Sequence, residues 1–253
     1  MNTSPISVII PTFKRSQQIL NTIEKICSCS PMPTEILVHI DYGDDETEAI
    51  LNRIDREISI LRSSATQGPG GGRNRLVQQA SCDYIASFDD DSWPLDEQYF
   101  SVANNLLDAH PDVGVITGNV FHRKSTTSPV GNELYEVNSF HACGCIMRKE
   151  AILATRGYVP LRYAYGMEET DLSLQLLEQG WRMLLTSQLR VFHDTDMSHH
   201  SSRVVNSWHI TNTALLAFLR YPKRFWFIGV AKTLNRVYYA LSRHRYQGVV
   251  VVL

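Results

Sequence analysis

The chain has 253 residues, enough to bury a full core as one domain with a small appendage. Its 24 basic and 26 acidic side chains leave a net charge of −2, so the basic footprint of a nucleic-acid binder is missing. Hydrophobic residues at 43% and charged ones at 20% are the composition of an ordinary soluble globular protein. The five cysteines, Cys27, Cys29, Cys82, Cys143 and Cys145, are odd in number and lack C-x-x-C pairs, which argues against a disulfide framework and a structural zinc site. The start MNTSPISVIIPTF has no basic leader, and no stretch supplies the ~20 apolar residues that span a bilayer. A cytoplasmic location is the expectation.

In chain order, Ile6–Ile10 is a β-branched run stopped by Pro11, the mark of a buried first strand. A helix is expected over Ser16–Cys27, a strand over Glu35–Ile40, a helix over Glu46–Arg56 and a short strand over Ile58–Leu61. Gly68-Pro69-Gly70-Gly71-Gly72 reads as a loop that no regular element can contain. Arg73–Ala80 is then a helix and Tyr84–Phe88 a central strand. This alternation predicts an α/β fold, a Rossmann-like, mostly parallel sheet flanked by helices. Beyond it come a helix over Leu95–Ala109, a strand over Val113–Thr117, a polar loop near Ser125–Gly131 and a strand over Ser139–Met147. Lys149–Ala154 follows as a short helix. Thr170–Gln179 is an amphipathic helix burying Leu172, Leu174, Leu176 and Leu177, and Arg182–Thr186 and Leu189–Phe192 are strands ending at His193.

The chemistry gathers at one sheet edge. Pro11 and Thr12 follow the first strand, Asp41 the second, and Asp89, Asp90 and Asp91 the central one. Ligands of open α/β sheets bind at such carboxyl ends. Three adjacent carboxylates repel one another, and a hard divalent cation, Mg²⁺ or Mn²⁺, carrying a substrate phosphate would stabilise them. An isolated triplet could equally be a solvated cap on the following helix. The glycine-rich run is neither a Walker A loop nor a dinucleotide fingerprint, which disfavours a P-loop ATPase and a dehydrogenase. Arg73 and Asn74 could present a guanidinium and an amide to phosphate or base, or Arg73 could form a surface ion pair.

The ordered segments VIIPTFKR, EILVHIDYGDDET, GGGRNRL, DYIASFDDDSWP and YGMEETDLSLQLLEQGW resemble the motifs of family 2 glycosyltransferases of the GT-A fold, over roughly residues 5–195. The resemblance implies inverting transfer of a sugar from a nucleotide-diphosphate donor, UDP- or dTDP-linked, to a glycan or lipid-linked acceptor in cell-surface glycan synthesis. It further implies that Pro11 and Thr12 line the nucleotide pocket, Asp41 meets the base, and Arg73 lies near the diphosphate. Asp89 and Asp91 match the outer positions of a DxD motif, with Asp91 on the metal, Asp89 on the ribose or a metal-bound water, and Asp90 between them in the donor site. Asp41-Tyr42-Gly43-Asp44 departs from the usual Asp-Asp-Gly-Ser. Glu169 stands where the family's catalytic base is normally an aspartate, flanked by Glu168 and Asp171. These acids could instead cap and orient their helix. His193 falls where a histidine often completes the metal shell, and Trp93 either contacts the acceptor or packs behind the metal loop.

From residue 201 the chain turns basic and aromatic. Such helices suit peripheral contact with an anionic membrane, or a hairpin packed on the catalytic domain or on a second subunit of a homo-oligomer. Two units are therefore expected, a catalytic domain over 1–200 and a helical C-terminal extension over 201–253. Two rivals remain: a non-catalytic nucleotide-sugar-binding module, favoured by Glu169 in place of aspartate, and a nucleotidyltransferase, disfavoured because PTFKR lacks glycines.

Overall fold

The computed structural model describes residues 3–54, 56–123, 131–159, 166–194 and 203–242. Most of the expected Ser125–Gly131 loop, together with His199 and His200, lies outside these residues.

Among the described residues nine strands form one sheet: β1 (Thr3–Thr12), β2 (Met32–Ile40), β3 (Ser59–Arg62), β4 (Tyr84–Phe88), β5 (Ser92–Pro94), β6 (Val113–Phe121), β7 (Leu134–Glu136), β8 (Gly144–Arg148) and β9 (Arg182–His193). Their order is β3-β2-β1-β4-β8-β6-β9-β5, with β7 also pairing to β9. The half β3-β2-β1-β4 is entirely parallel. β8 runs antiparallel to both β4 and β6, and β6 and β9 are parallel again.

The continuous apolar runs of β1 and β2 follow from burial on both faces. Ile6, Val8 and Ile10 pack with Val38, Phe88 and the buried sides of α1 (Ser16–Cys27) and α4 (Tyr99–Ala109). Ile9, Leu37, Ile85 and Met147 point the other way, onto α3 (Gly68–Gln79), α5 (Lys149–Leu153) and α6 (Glu168–Glu178). The remaining helices are α2 (Glu46–Leu51), shorter than expected, and α7 (Arg203–Arg220) and α8 (Trp226–Ser242), which pair as a hairpin. At their contact a Cβ on Gly229 would lie 2.2 Å from that of Ala217, so only glycine lets the two backbones approach this closely.

The helix expected from Leu95 starts at Tyr99, the strand expected from Ser139 starts at Gly144, and the two strands expected over 182–192 are one, β9. Two further expectations need correction. The glycine-rich run is not a loop but the first turns of α3, with Pro69 in its opening turn. Its glycines serve close packing: a Cβ on Gly72 would meet His39 Nδ1 at 2.5 Å, and one on Gly70 the Tyr158 Cβ at 3.0 Å. On α6, Asp171, Leu172, Gln175 and Leu176 are buried, whereas Leu177 is exposed. The helix is covered on a second side by α7, where Arg220 clamps the Asp171 carboxylate at 2.6 and 3.0 Å. Gln175 Nε2 donates to the same carboxylate at 2.8 Å.

Candidate active site

The carboxyl ends of β1, β2 and β4 open into a cavity of about 890 Å³. Pro11, Thr12, Asp41, Arg73, Asp89, Asp90, Asp91, Glu168, Glu169 and His193 all line it, so the sheet brings together every proposed site residue except Trp93. The Trp93 ring instead packs on Phe192 at 5.2 Å, across the β5–β9 pairing.

Each of the three aspartates has a different setting. Asp90 is buried, accepting from Thr12 Oγ1 at 2.8 Å and from Arg15 Nη1 at 2.8 Å. Burial pushes its pKa up to about 7, even against the attraction of Arg15. This middle aspartate ties β1 to the acidic loop. Asp91 accepts from Arg15 Nη2 at 2.7 Å on one oxygen and lies 3.1 Å from His193 Nε2 on the other. Burial opposes its charge, but His193 and Arg15 outweigh it and hold the carboxyl below its usual range. Asp89 is the more open acid, paired with Arg73 and 3.6 Å from His193 Nε2.

His193 reaches this loop through a short strand. Ser92 of β5 faces His193 of β9, and the Asp194 amide donates to Asp91 O at 2.8 Å. The Ser92 hydroxyl pins the loop as well, accepting from the Asp89 amide at 2.8 Å and donating to Cys143 O at 2.7 Å. A three-residue strand leaves almost no periodic signal, so the pairing that places His193 was hidden in the sequence.

A divalent cation is implied here, and the donor chemistry fits one. Ligand atoms of Asp89, Cys143 and His193 lie within 4.8 Å of one another. Asp91 adjoins the same histidine. Two carboxylates and an imidazole suit Mn²⁺ or Mg²⁺. Cys143 is a poor ligand for either, because burial raises its thiol pKa well above the usual range and keeps it protonated.

On the second wall, Asp41 accepts three backbone N–H bonds, from Tyr42 at 2.8 Å and from Gln67 and Gly68 at 2.9 Å. It thereby caps α3 and anchors that helix against β2. Arg73 runs inward from the same helix and is 2% exposed, donating through Nε to Ser87 Oγ at 2.9 Å and pairing with Asp89. Burial disfavours its charge, yet Asp89, Tyr158 and Glu169 together keep it firmly protonated. The guanidinium of this ion pair is thus buried, not on the surface as the sequence allowed. Asn74 turns away from the cavity, its amide bonded to both backbone groups of Tyr158 at 2.8 Å.

Glu168 and Glu169 open α6 after Gly166 (φ 90°) and Met167 (φ 75°), a left-handed turn that aims the helix start at the cavity. Burial raises both carboxyl pKa values, mutual repulsion adds to the rise at Glu168, and Arg73 opposes it at both. Glu169 also feels Asp89 and His141, which places it toward the acidic loop. Asp171 takes no part in the cavity, since Arg220 and Gln175 occupy it.

Sequence reasoning passed over several lining residues: Arg15, His39, His141, Trp208 and His209. Arg15 stands inside the quoted VIIPTFKR segment and could have been found there. Trp208 and His209 come from α7, whose docking no local pattern announces. The Asn212 amide bonds Gly166 O at 2.9 Å, and a Cβ on Gly166 would meet the His209 ring at 2.8 Å.

The family model for glycosyl transferase family 2 matches residues 7–240. The chain belongs to this family. Among similar proteins is the GalNAc(5)-diNAcBac-PP-undecaprenol beta-1,3-glucosyltransferase of Campylobacter jejuni, 32% identical over 90 residues, covering 34% of this chain and 29% of that one. The UDP-Glc:alpha-D-GlcNAc-diphosphoundecaprenol beta-1,3-glucosyltransferase WfaP of Escherichia coli is also 32% identical over 90 residues, covering 35% of this chain and 36% of that one. The chain thus matches about a third of the length of each of these relatives. Among solved structures, the mannosyltransferase PcManGT of Pyrobaculum calidifontis, in complex with GDP-Man and Mn²⁺, superimposes with a TM-score of 0.68 at 15% identity, over 95% of this chain and 75% of that one. The S. aureus TarS fragment 1–349, in complex with UDP-GlcNAc, gives 0.66 at 17% identity, over 91% of this chain and 72% of that one. Those likenesses show the fold, the GT-A arrangement that the family 2 motifs imply.

Proposed function

We propose that this family 2 member is an inverting, metal-dependent glycosyltransferase that moves a sugar from a nucleotide-diphosphate donor to an acceptor hydroxyl on a glycan or lipid-linked glycan. The observation that carries this reading is the meeting, in one cavity, of the Asp89–Asp91/His193 cluster with the Glu168–Glu169 pair. Asp89, Asp91 and His193 would hold Mg²⁺ or Mn²⁺. Such an ion supplies charge stabilisation to a departing diphosphate. Pro11, Thr12 and Asp41 would form the nucleoside side of the cavity, with Arg73 adding fixed positive charge beside Asp89. Glu169 would take the acceptor's proton during in-line displacement, and its raised pKa strengthens it as a base. Glu168 would sit on the acceptor side. Relatives named for undecaprenol-linked substrates, and neighbours solved with UDP-GlcNAc or with GDP-Man and Mn²⁺, support the donor and acceptor classes. Work on the cytoplasmic side fits this reading.

The test is a thermal-shift series with UDP, dTDP, GDP and their sugars, with and without Mn²⁺, on the wild type and Asp91→Ala. Mn²⁺-dependent stabilisation by one nucleotide, lost in the variant, is the expected result and names the base. A folded protein that responds to none of them overturns the reading.

A further inference from the structure

Among the described residues, the α7–α8 hairpin meets the cavity through α7 and is exposed on its other side. After Asp196 the sequence contains no Asp or Glu, while it carries eight Lys and Arg residues. The whole chain has a net charge of −2, so residues 1–196 hold −10 against +8 beyond them. A separation this complete is a property of the hairpin segment and not of average composition.

Its placement on the fold gives the charge a use. α8 packs on α7 through Gly229, against Ala217, and through Val237 and Ala240, which cluster with Ile210. Phe227, Val230, Leu234, Tyr238 and Leu241 recur at spacings of three and four and so share a different, outward face. Phe218 of α7 extends that face, its ring 5.2 Å from that of Trp226. Phe218, Phe227, Val230, Leu234 and Tyr238 are each between 59% and 69% exposed. Lys223 and Arg224, just before α8, are exposed as well. Lys232 and Arg236 lie on the side of α8 turned away from the stripe, Lys232 Nζ 3.0 Å from Tyr221 Oη and Arg236 Nη2 3.4 Å from Met167 Sδ. Among the described residues no helix is long and apolar enough to cross a membrane.

We propose that this face seats the protein on an anionic bilayer surface, with α8 lying in the headgroup region and Lys223 and Arg224 at its start on lipid phosphates. An exposed apolar stripe that includes Tyr238 and is preceded by two basic residues, in a segment without acids, matches an interfacial helix. The charge decides against a second copy: two-fold pairing through this face would set one acid-free basic segment against another. An anionic leaflet attracts the same charges. The acidic body then points toward solvent, repelled by the surface that holds the hairpin.

The test is flotation of the full chain with vesicles of phosphatidylcholine alone or equimolar phosphatidylcholine and phosphatidylglycerol. The anionic vesicles should carry about tenfold more protein, and molar salt should weaken the effect. Phe227→Glu/Leu234→Glu should abolish flotation, and Lys223→Glu/Arg224→Glu should reduce it severalfold. Both pairs lie outside the cavity, so nucleotide-induced stabilisation should be unchanged, which separates this inference from the sugar-transfer reading. No flotation on anionic vesicles would overturn it. So would an unaltered Phe227→Glu/Leu234→Glu variant, or a wild-type dimer that this variant dissociates, which would make the face a contact between copies.

Discussion

At the scale of single residues, the active-site acids divide by environment. Asp171 has the same side chain as Asp89, Asp90 and Asp91, but its 0% exposure and bidentate contact with Arg220 make it a structural anchor. Glu169, two positions earlier, faces the cavity, where burial raises its carboxyl pKa against the attraction of Arg73 and His141 and so suits it to receive a proton. Glu169→Gln should lower turnover by about 10²–10⁴-fold while nucleotide-induced stabilisation persists. The wild-type rate should climb with pH through a value above glutamate's ordinary 4.5, because burial holds the carboxyl protonated in acid. The neighbouring Glu168 carries a stability consequence of the same sign. Its folded pKa lies above the unfolded 4.5, so its contribution is intact below 4.5 and is lost as pH rises toward the folded value. Glu168→Gln should therefore raise the melting temperature at neutral and alkaline pH and leave it nearly unchanged at pH 4, a difference scanning calorimetry would read.

At the scale of elements, α3 shows why the glycine-rich run resisted a sequence reading. Glycines weaken a helix in isolation, and a local rule assigns five residues with four glycines to a loop. Here the missing side chains let the helix lie against His39 and Tyr158, which places Gly68 under Asp41 and sends Arg73 to Asp89. Gly72→Ala would force His39 from its 2.7 Å bond to Ser63 and should cost about 1–3 kcal/mol, measurable by urea unfolding. The parallel strands β1, β2 and β4 were legible because apolar runs with turn residues after them need no distant partner to be recognised. β5 and β7 were not, since three residues carry no period, and they exist only because β9 extends beside them. The acids and His193 were singled out by motif order, and the fold gathers them in one cavity. The histidines and tryptophan contributed by other elements depend on packing, which no single stretch encodes.

At the scale of the whole molecule, the expected boundary near residue 200 cuts through the site, because α7 supplies Trp208 and His209 to the cavity. Its attachment to the sheet domain runs through the buried Asp171–Arg220 pair, with Asn212 on Gly166 beside it. Arg220→Met would strand a charge at Asp171 and should cost about 3–5 kcal/mol, whereas Asp171→Leu/Arg220→Met together should recover part of that loss in a double-mutant cycle. The clamp sits at the far end of α7 from the two cavity residues. The carboxylates, by contrast, are set by β4 and by the start of α6. Substitutions along the cavity face of α7 can consequently recut one wall while every acid keeps its position. The shape of that wall and the placing of the acids are thus written on separate stretches of the chain, so the first can be altered without a change in the second.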